Sequence, residues 1–196
     1  LDRTGQVWHY NPSIQNWDSM PGNLAQIAVG ANGDVWGIDS WHQIWRYNAS
    51  ISNWDNIPGS LVQLSVGADG AVWGVNIASE IYQFNPSTQS WNHIPGNLKQ
   101  VSAGSSQNVW GVNWIGEIWR FNFQTHTWEN VPGSLASISV AFDGTVCGIN
   151  SIGAAWRYHS SDRNWEQLAG PFQSIAVASG GAIWGVNSSG DSYQYW

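Results

Sequence analysis

Leu61-Val62-Gln63-Leu64-Ser65-Val66-Gly67-Ala68-Asp69-Gly70-Ala71-Val72-Trp73-Gly74-Val75 alternates apolar and polar residues, turns at a Gly-rich tetrapeptide and runs apolar again. Alternation over Leu61 to Val66 is the period of a half-buried strand. Gly67 to Gly70 is a tight turn, and Ala71 to Val75 is a second strand. Further along, Asn76 to Ser79 turns into a third strand, Glu80 to Phe84, and Asn85-Pro86-Ser87-Thr88 turns into a fourth, Ser90 to Ile94. Pro95-Gly96 begins the next connection, where a missing N–H disturbs no ladder.

Outward from this stretch the same unit recurs. Val35-Trp36-Gly37-Ile38, Val72-Trp73-Gly74-Val75, Val109-Trp110-Gly111-Val112, Val146-Cys147-Gly148-Ile149 and Ile183-Trp184-Gly185-Val186 stand 37 residues apart throughout. Trp8, Trp45, Tyr82, Trp119, Trp156 and Tyr193 keep that step, as do Trp17, Trp54, Trp91, Trp128 and Trp165. Four short antiparallel strands per period, filled with β-branched and aromatic residues, describe a propeller blade, and such units bury their faces by stacking radially. The prediction is an all-β chain, residues 1–196 forming one β-propeller domain. Five periods of 37 account for 185 of the 196 residues, leaving 11 over; six would take 222, or 26 more than the chain holds. The chain opens and closes on a third strand, so five blades give two third strands one slot. Six would place a fourth, a first and a second strand ahead of Leu1. The arithmetic favours six blades, with five the alternative.

Composition narrows the function. Charged residues make up 10% of the chain, against roughly 25% in an ordinary domain, while 16 residues are Trp. Six Lys and Arg against 13 Asp and Glu disfavour a phosphate-binding surface, so no nucleic-acid partner is expected. No apolar run approaches the roughly 18 residues of a membrane span, and no membrane insertion is expected. No basic segment followed by an apolar stretch reads as a signal peptide, which points to a cytoplasmic protein or one released without such a signal. His9, His42, His93, His126 and His159 do not recur at the repeat step, and no pair has metal-ligand spacing. A glycosidase needs two carboxylates fixed in one cleft, and no asymmetric insertion supplies them. The expectation is a binding protein, not an enzyme, with no catalytic residue, metal or cofactor.

Pro58-Gly59-Ser60-Leu61-Val62-Gln63-Leu64-Ser65-Val66-Gly67, Asp69-Gly70, Val72-Trp73-Gly74-Val75-Asn76 and the third strand Gly116-Glu117-Ile118-Trp119-Arg120-Phe121 together resemble the repeat of the tectonin β-propeller lectins. The resemblance covers every period. It implies six blades, carbohydrate binding in clefts between adjacent blades and a defence role. The implied partners are glycans on microbial, nematode or cell surfaces, O-methylated sugars included; oligomeric state is left open. Cys147 for Trp, Ala169 for Pro and Ala154-Ala155 for Glu-Ile set the copy near residues 146–157 apart.

An indole offers a sugar's C–H face a large rigid plate, and nearby amides, carboxylates and guanidinium groups fix the hydroxyls. The candidate carbohydrate-binding residues are therefore the second-strand Trp36, Trp73, Trp110 and Trp184, the strand-closing Asp39, Asn76, Asn113 and Asn187, the third-strand Arg46 and Arg120, and the turn residues Trp41 and Trp114. Repeating aromatics also serve as wedges between blades, a reading that stands equally for the second-strand series and is favoured for the fourth. Cys147 bears on this, since an unfilled Trp-sized gap in a core costs about 3–5 kcal/mol, whereas a rim tolerates it. Trp41 and Trp114 break the periodicity, in turns where an exposed indole serves recognition or covers its own blade. Beside a multivalent lectin stands a protein-interaction propeller whose loops around Trp41 and Trp114 bind a polypeptide.

Overall fold

The computed structural model describes residues 1–31 and 33–195. Every regular element in it is a β-strand. β1 (Gln6–Asn11) and β2 (Asn16–Asn23) form a hairpin. The first blade is β3 (Gln26–Val29), β4 (Val35–Ile38), β5 (Ile44–Asn48) and β6 (Asn53–Ile57). The second is β7 (Gln63–Val66), β8 (Val72–Val75), β9 (Glu80–Asn85) and β10 (Ser90–Asn97). The third is β11 (Gln100–Ser105), β12 (Asn108–Val112), β13 (Ile118–Asn122) and β14 (Thr127–Val131). The fourth is β15 (Ser137–Val140), β16 (Val146–Ile149), β17 (Ala155–His159) and β18 (Asn164–Gln167). A fifth blade has three strands, β19 (Ser174–Val177), β20 (Ile183–Val186) and β21 (Ser192–Tyr195). All pairings are antiparallel, in chain order.

The propeller therefore carries five blades rather than the six that length favoured. Five first strands are present, β3, β7, β11, β15 and β19, and the surplus third strand β1 pairs with β2. A hairpin between sequence neighbours closes a short loop at small entropic cost, so β2 stays with β1 instead of completing the fifth blade. Among the described residues no ladder joins β1 or β2 to β21.

First strands are clipped to one another by side-chain amides. Leu64 N donates to Gln26 Oε1 at 2.9 Å while Gln26 Nε2 donates to Leu64 O at 3.0 Å. Gln63 grips Val101 and Gln100 grips Ile138 in the same way. A second clip uses serine hydroxyls: Ser65, Ser102 and Ser139 Oγ accept from Ala103, Val140 and Val177 N at 3.0–3.1 Å, and it alone of the two persists in the fourth blade, where Ser137 stands in place of the glutamine.

Between blades lies the core. Trp36 packs edge-on against Phe84 and Trp91 of the next blade, with centroids 4.9 and 6.1 Å away. Trp73 meets Phe121 and Trp128 at 5.2 and 6.2 Å, and Trp110 meets Tyr158 at 5.0 Å. The second-strand glycine of the first four blades is a packing requirement. A Cβ on Gly37, Gly74, Gly111 or Gly148 collides with the leucine of the preceding connection, Leu24, Leu61, Leu98 or Leu135.

Candidate functional site

The connection between blades and the hairpin from second to third strand lie at the same end of the sheets, where they enclose a cleft. Three clefts recur in register. The first is lined by Gly22, Leu24, Asp39, Trp45 and Trp54, and additionally by Trp41 and Gln43. Corresponding residues are Gly59, Leu61, Asn76, Tyr82 and Trp91 in the second, and Gly96, Leu98, Asn113, Trp119 and Trp128 in the third. Their volumes are about 450, 270 and 190 Å³. The first falls within the roughly 300–1,000 Å³ usual for small-molecule sites.

The fourth-strand indoles rest on the Pro-Gly connections, two of them through a hydrogen bond, while Trp91 Nε1 and Trp128 Nε1 are buried without a partner among the described residues. Trp54 Nε1 donates to Pro21 O at 2.7 Å and Trp165 Nε1 to Pro132 O at 2.9 Å, so the indole stands against the Pro-Gly connection. Gly22, Gly59, Gly96 and Gly133 take positive φ, and their missing side chains let the indole ring close in.

The Asp or Asn that closes each second strand pins the hairpin turn. Asp39 Oδ1 accepts from Trp41 N and Gln43 N, both at 2.9 Å, and its Oδ2 accepts from Trp45 Nε1 at 2.9 Å. Asn76 Oδ1 accepts from Ala78 N and Glu80 N, while Nδ2 donates to Glu80 Oε2 at 2.7 Å. Asn113 repeats this with Ile115, Glu117 and the Glu117 carboxylate, and Asn187 with Ser189, Asp191 and the Asp191 carboxylate. Tyr82 OH adds a bond to Glu80 Oε2 at 3.0 Å. The Asn76 amide and the Tyr82 hydroxyl hold Glu80 below its ordinary carboxylate range, and burial followed by that same bond pushes Tyr82 up.

Several sequence-derived candidates lie elsewhere. Trp36, Trp73 and Trp110 are the blade-to-blade wedges, no more than 2% exposed, and present no face to a ligand. This corrects their assignment to carbohydrate binding; the large flat ring that suits a sugar also fills the wide gap between sheets. Trp184 is 48% exposed on the outer face of the fifth blade, and Asn187 lies on that blade's turn. Arg46 Nε pairs with Asp34 Oδ1 at 2.8 Å and its guanidinium lies 5.4 Å from the Trp36 ring centroid; Arg120 stands 5.8 Å from that of Trp110. Both sit one strand position past the cleft aromatic and so point to the opposite sheet face.

Cys147 is fully buried, so tolerance at a rim is not the reason for it. Arg157, its cross-strand neighbour, lies 5.6 Å from the Tyr195 ring centroid and pairs with Glu166 at 2.7 Å.

Of the candidates, the clefts gather Asp39 with Trp41, and separately Asn76 and Asn113. Trp114 is exposed and reaches across to the neighbouring blade, donating from Nε1 to Ser79 Oγ at 2.8 Å. The sequence-derived site residues left out Trp45, Tyr82 and Trp119, which wall the clefts, and Glu80 and Glu117, the turn carboxylates bonded to the cleft residues Asn76 and Asn113. The signal was available in the acidic residue four places after each Asn, Asn76 to Glu80 and Asn113 to Glu117. Asn150 lacks that partner because Ala154 stands there.

A family model described as Tectonin domain matches residues 33–196. No curated protein matches the chain. Among solved structures, that of YCF48 bound to D1 peptide is similar over 100% of this chain and 68% of its own, with a TM-score of 0.63 and 13% identity. At that identity the likeness is one of fold alone.

Proposed function

The chain belongs to the Tectonin domain family, and from that membership and its clefts we propose that it is a multivalent lectin, binding surface glycans between adjacent blades. The observation that carries this reading is the register of the clefts. Each sets a partly exposed third-strand aromatic beside a fourth-strand indole, with a carboxylate at the turn: Asp39, Glu80 or Glu117. An aromatic plate takes the C–H face of a pyranose, and a carboxylate accepts from its hydroxyls. Repetition around one rim turns weak single sites into avidity on a glycan-coated surface. The first cleft is the principal site, being the largest of the three in register and carrying Trp41 at its mouth. An O-methyl group suits the apolar wall formed by Leu24 and Trp54. Binding without turnover is part of the proposal.

A glycan array that includes O-methylated sugars tests it. Hits whose binding weakens in Trp41→Ala are expected; an array with no hits overturns the reading.

A further inference from the structure

We propose that the rim formed by the second-to-third-strand turns is a peripheral membrane-docking surface, seated on the neutral phosphocholine interface of a lipid bilayer. The turns are residues 39–43, 76–80, 113–117, 150–154 and 187–191. Trp41, Ile77, Trp114, Ile115 and Ile152 project from four of them at 79%, 78%, 76%, 78% and 79% exposure. Nothing in the turn geometry asks for apolar side chains there. The fifth turn has Ser188 and Ser189 at the same places, and Ser40 and Ser151 share the tips of the first and fourth.

These tips are held rigidly along one edge. His42, Ser79, Gly116, Gly153 and Gly190 all take positive φ, between 66° and 88°, fixing each turn in one shape. Leu61 N donates to His42 O, Leu98 N to Ser79 O, Leu135 N to Gly116 O and Phe172 N to Gly153 O, at 2.8–3.1 Å, tying the four turns that carry these tips to the connections that leave their blades. The Trp114 to Ser79 bond joins two turns directly. Five large apolar groups thus face the same way from a rigid scaffold.

Charge selects the occupant. The five turns contain no Lys or Arg, and Asp39, Glu80, Glu117 and Asp191 give them acidic character. An anionic lipid surface is therefore repelled, whereas a net-neutral one is not. The tips are also separated by polar turn backbone and do not line one groove, which suits a fluid partner that closes around each. Two of the five are Trp, whose ring and N–H favour the headgroup boundary. No helix is long and apolar enough to cross a membrane, and attachment of this kind needs none. The sequence expectation of no membrane insertion rested on counting contiguous apolar residues; these tips lie on turns 37 residues apart and form no such run. The proposal does not depend on sugar binding.

The test uses the full chain with glycolipid-free phosphatidylcholine vesicles. The protein should float with them, and brominated phosphatidylcholine should quench its Trp emission. Replacing a quarter of the lipid with phosphatidylserine should weaken the association. Ile77→Ser, Trp114→Ser and Ile115→Ser combined should lower the partition coefficient by at least about tenfold, since binding scales with the apolar area inserted. Circular dichroism and urea unfolding of that variant check that the propeller is intact. Absence of flotation overturns the proposal, as does unchanged partitioning of a folded triple variant or binding that needs phosphatidylserine. Loss of a protein partner by the variant, with no vesicle binding by the parent, assigns the rim to polypeptide recognition and overturns it too.

Discussion

Trp73 and Trp41 show how differently one residue type behaves in this chain. Trp73 is a wedge with no exposed surface, so Trp73→Ala should lower the unfolding free energy by about 3–5 kcal/mol in urea titration. Trp41 stands almost free of the protein, and Trp41→Ala should change stability by no more than about 0.5 kcal/mol. The same change should weaken monosaccharide binding at the first cleft about three- to tenfold by calorimetry, the worth of one aromatic contact. Cys147 gives a third prediction. Burial pushes its thiol up to about 12, so it should resist alkylation in the native protein and react when urea unfolds the chain. Mass spectrometry of the alkylated protein reads both states. At this scale the sequence was ambiguous. Both wedge and sugar platform call for a large flat apolar ring, and only the position of the neighbouring blade separates the two uses.

At the scale of the element, the hairpin turns and the first strands carry the repeat. The turn grammar was legible because Asn and Asp hydrogen-bond their own following backbone and Gly accepts positive φ. Each sequence-derived strand of the second repeat falls within a residue or a few of its observed place, β8 at Val72–Val75 and β9 at Glu80–Asn85 among them. The amide clips were not legible, since a glutamine reaching 38 residues onward leaves no local pattern. Removing one tests its weight. Gln100→Ala leaves Ile138 N and O unpaired between blades and should cost about 1–3 kcal/mol in urea unfolding. Carboxylates at the turns set the acid limit. Hydrogen bonds from Asn76 and Tyr82 lower Glu80; those from Thr145 and Gly180 lower Asp143; the partners His159 and Arg157 lower Glu166. A carboxylate lowered in the folded state stabilises it above the unfolded pKa, and that stability is lost as pH falls through the folded pKa. Stability should therefore hold from neutral pH down to about 5 and decline below about 4, where unfolded carboxylates take up protons. Thermal melting across that window reads the effect, and a melting temperature that rises on acidification would contradict it.

For the molecule as a whole, the blade-to-blade interface is the unit of stability. Three of the second-strand Trp are sealed by a following blade, while Trp184 on the fifth blade is half exposed. Trp184→Ala should consequently cost less than half as much as Trp73→Ala by the same denaturation, because less apolar surface is buried there. The 37-residue period, the four-strand unit, the all-β class and the family were determined by the sequence alone, because hydrophobic alternation and turn chemistry are local and repeat without interruption. Tertiary structure decided the rest. It set five blades where length favoured six, because a local hairpin keeps β2 with β1. It also buried the second-strand indoles Trp36, Trp73 and Trp110 and left the third- and fourth-strand aromatics on the clefts. Those outcomes depend on what lies one blade away, and a full repeat or more of chain separates each contact's two partners.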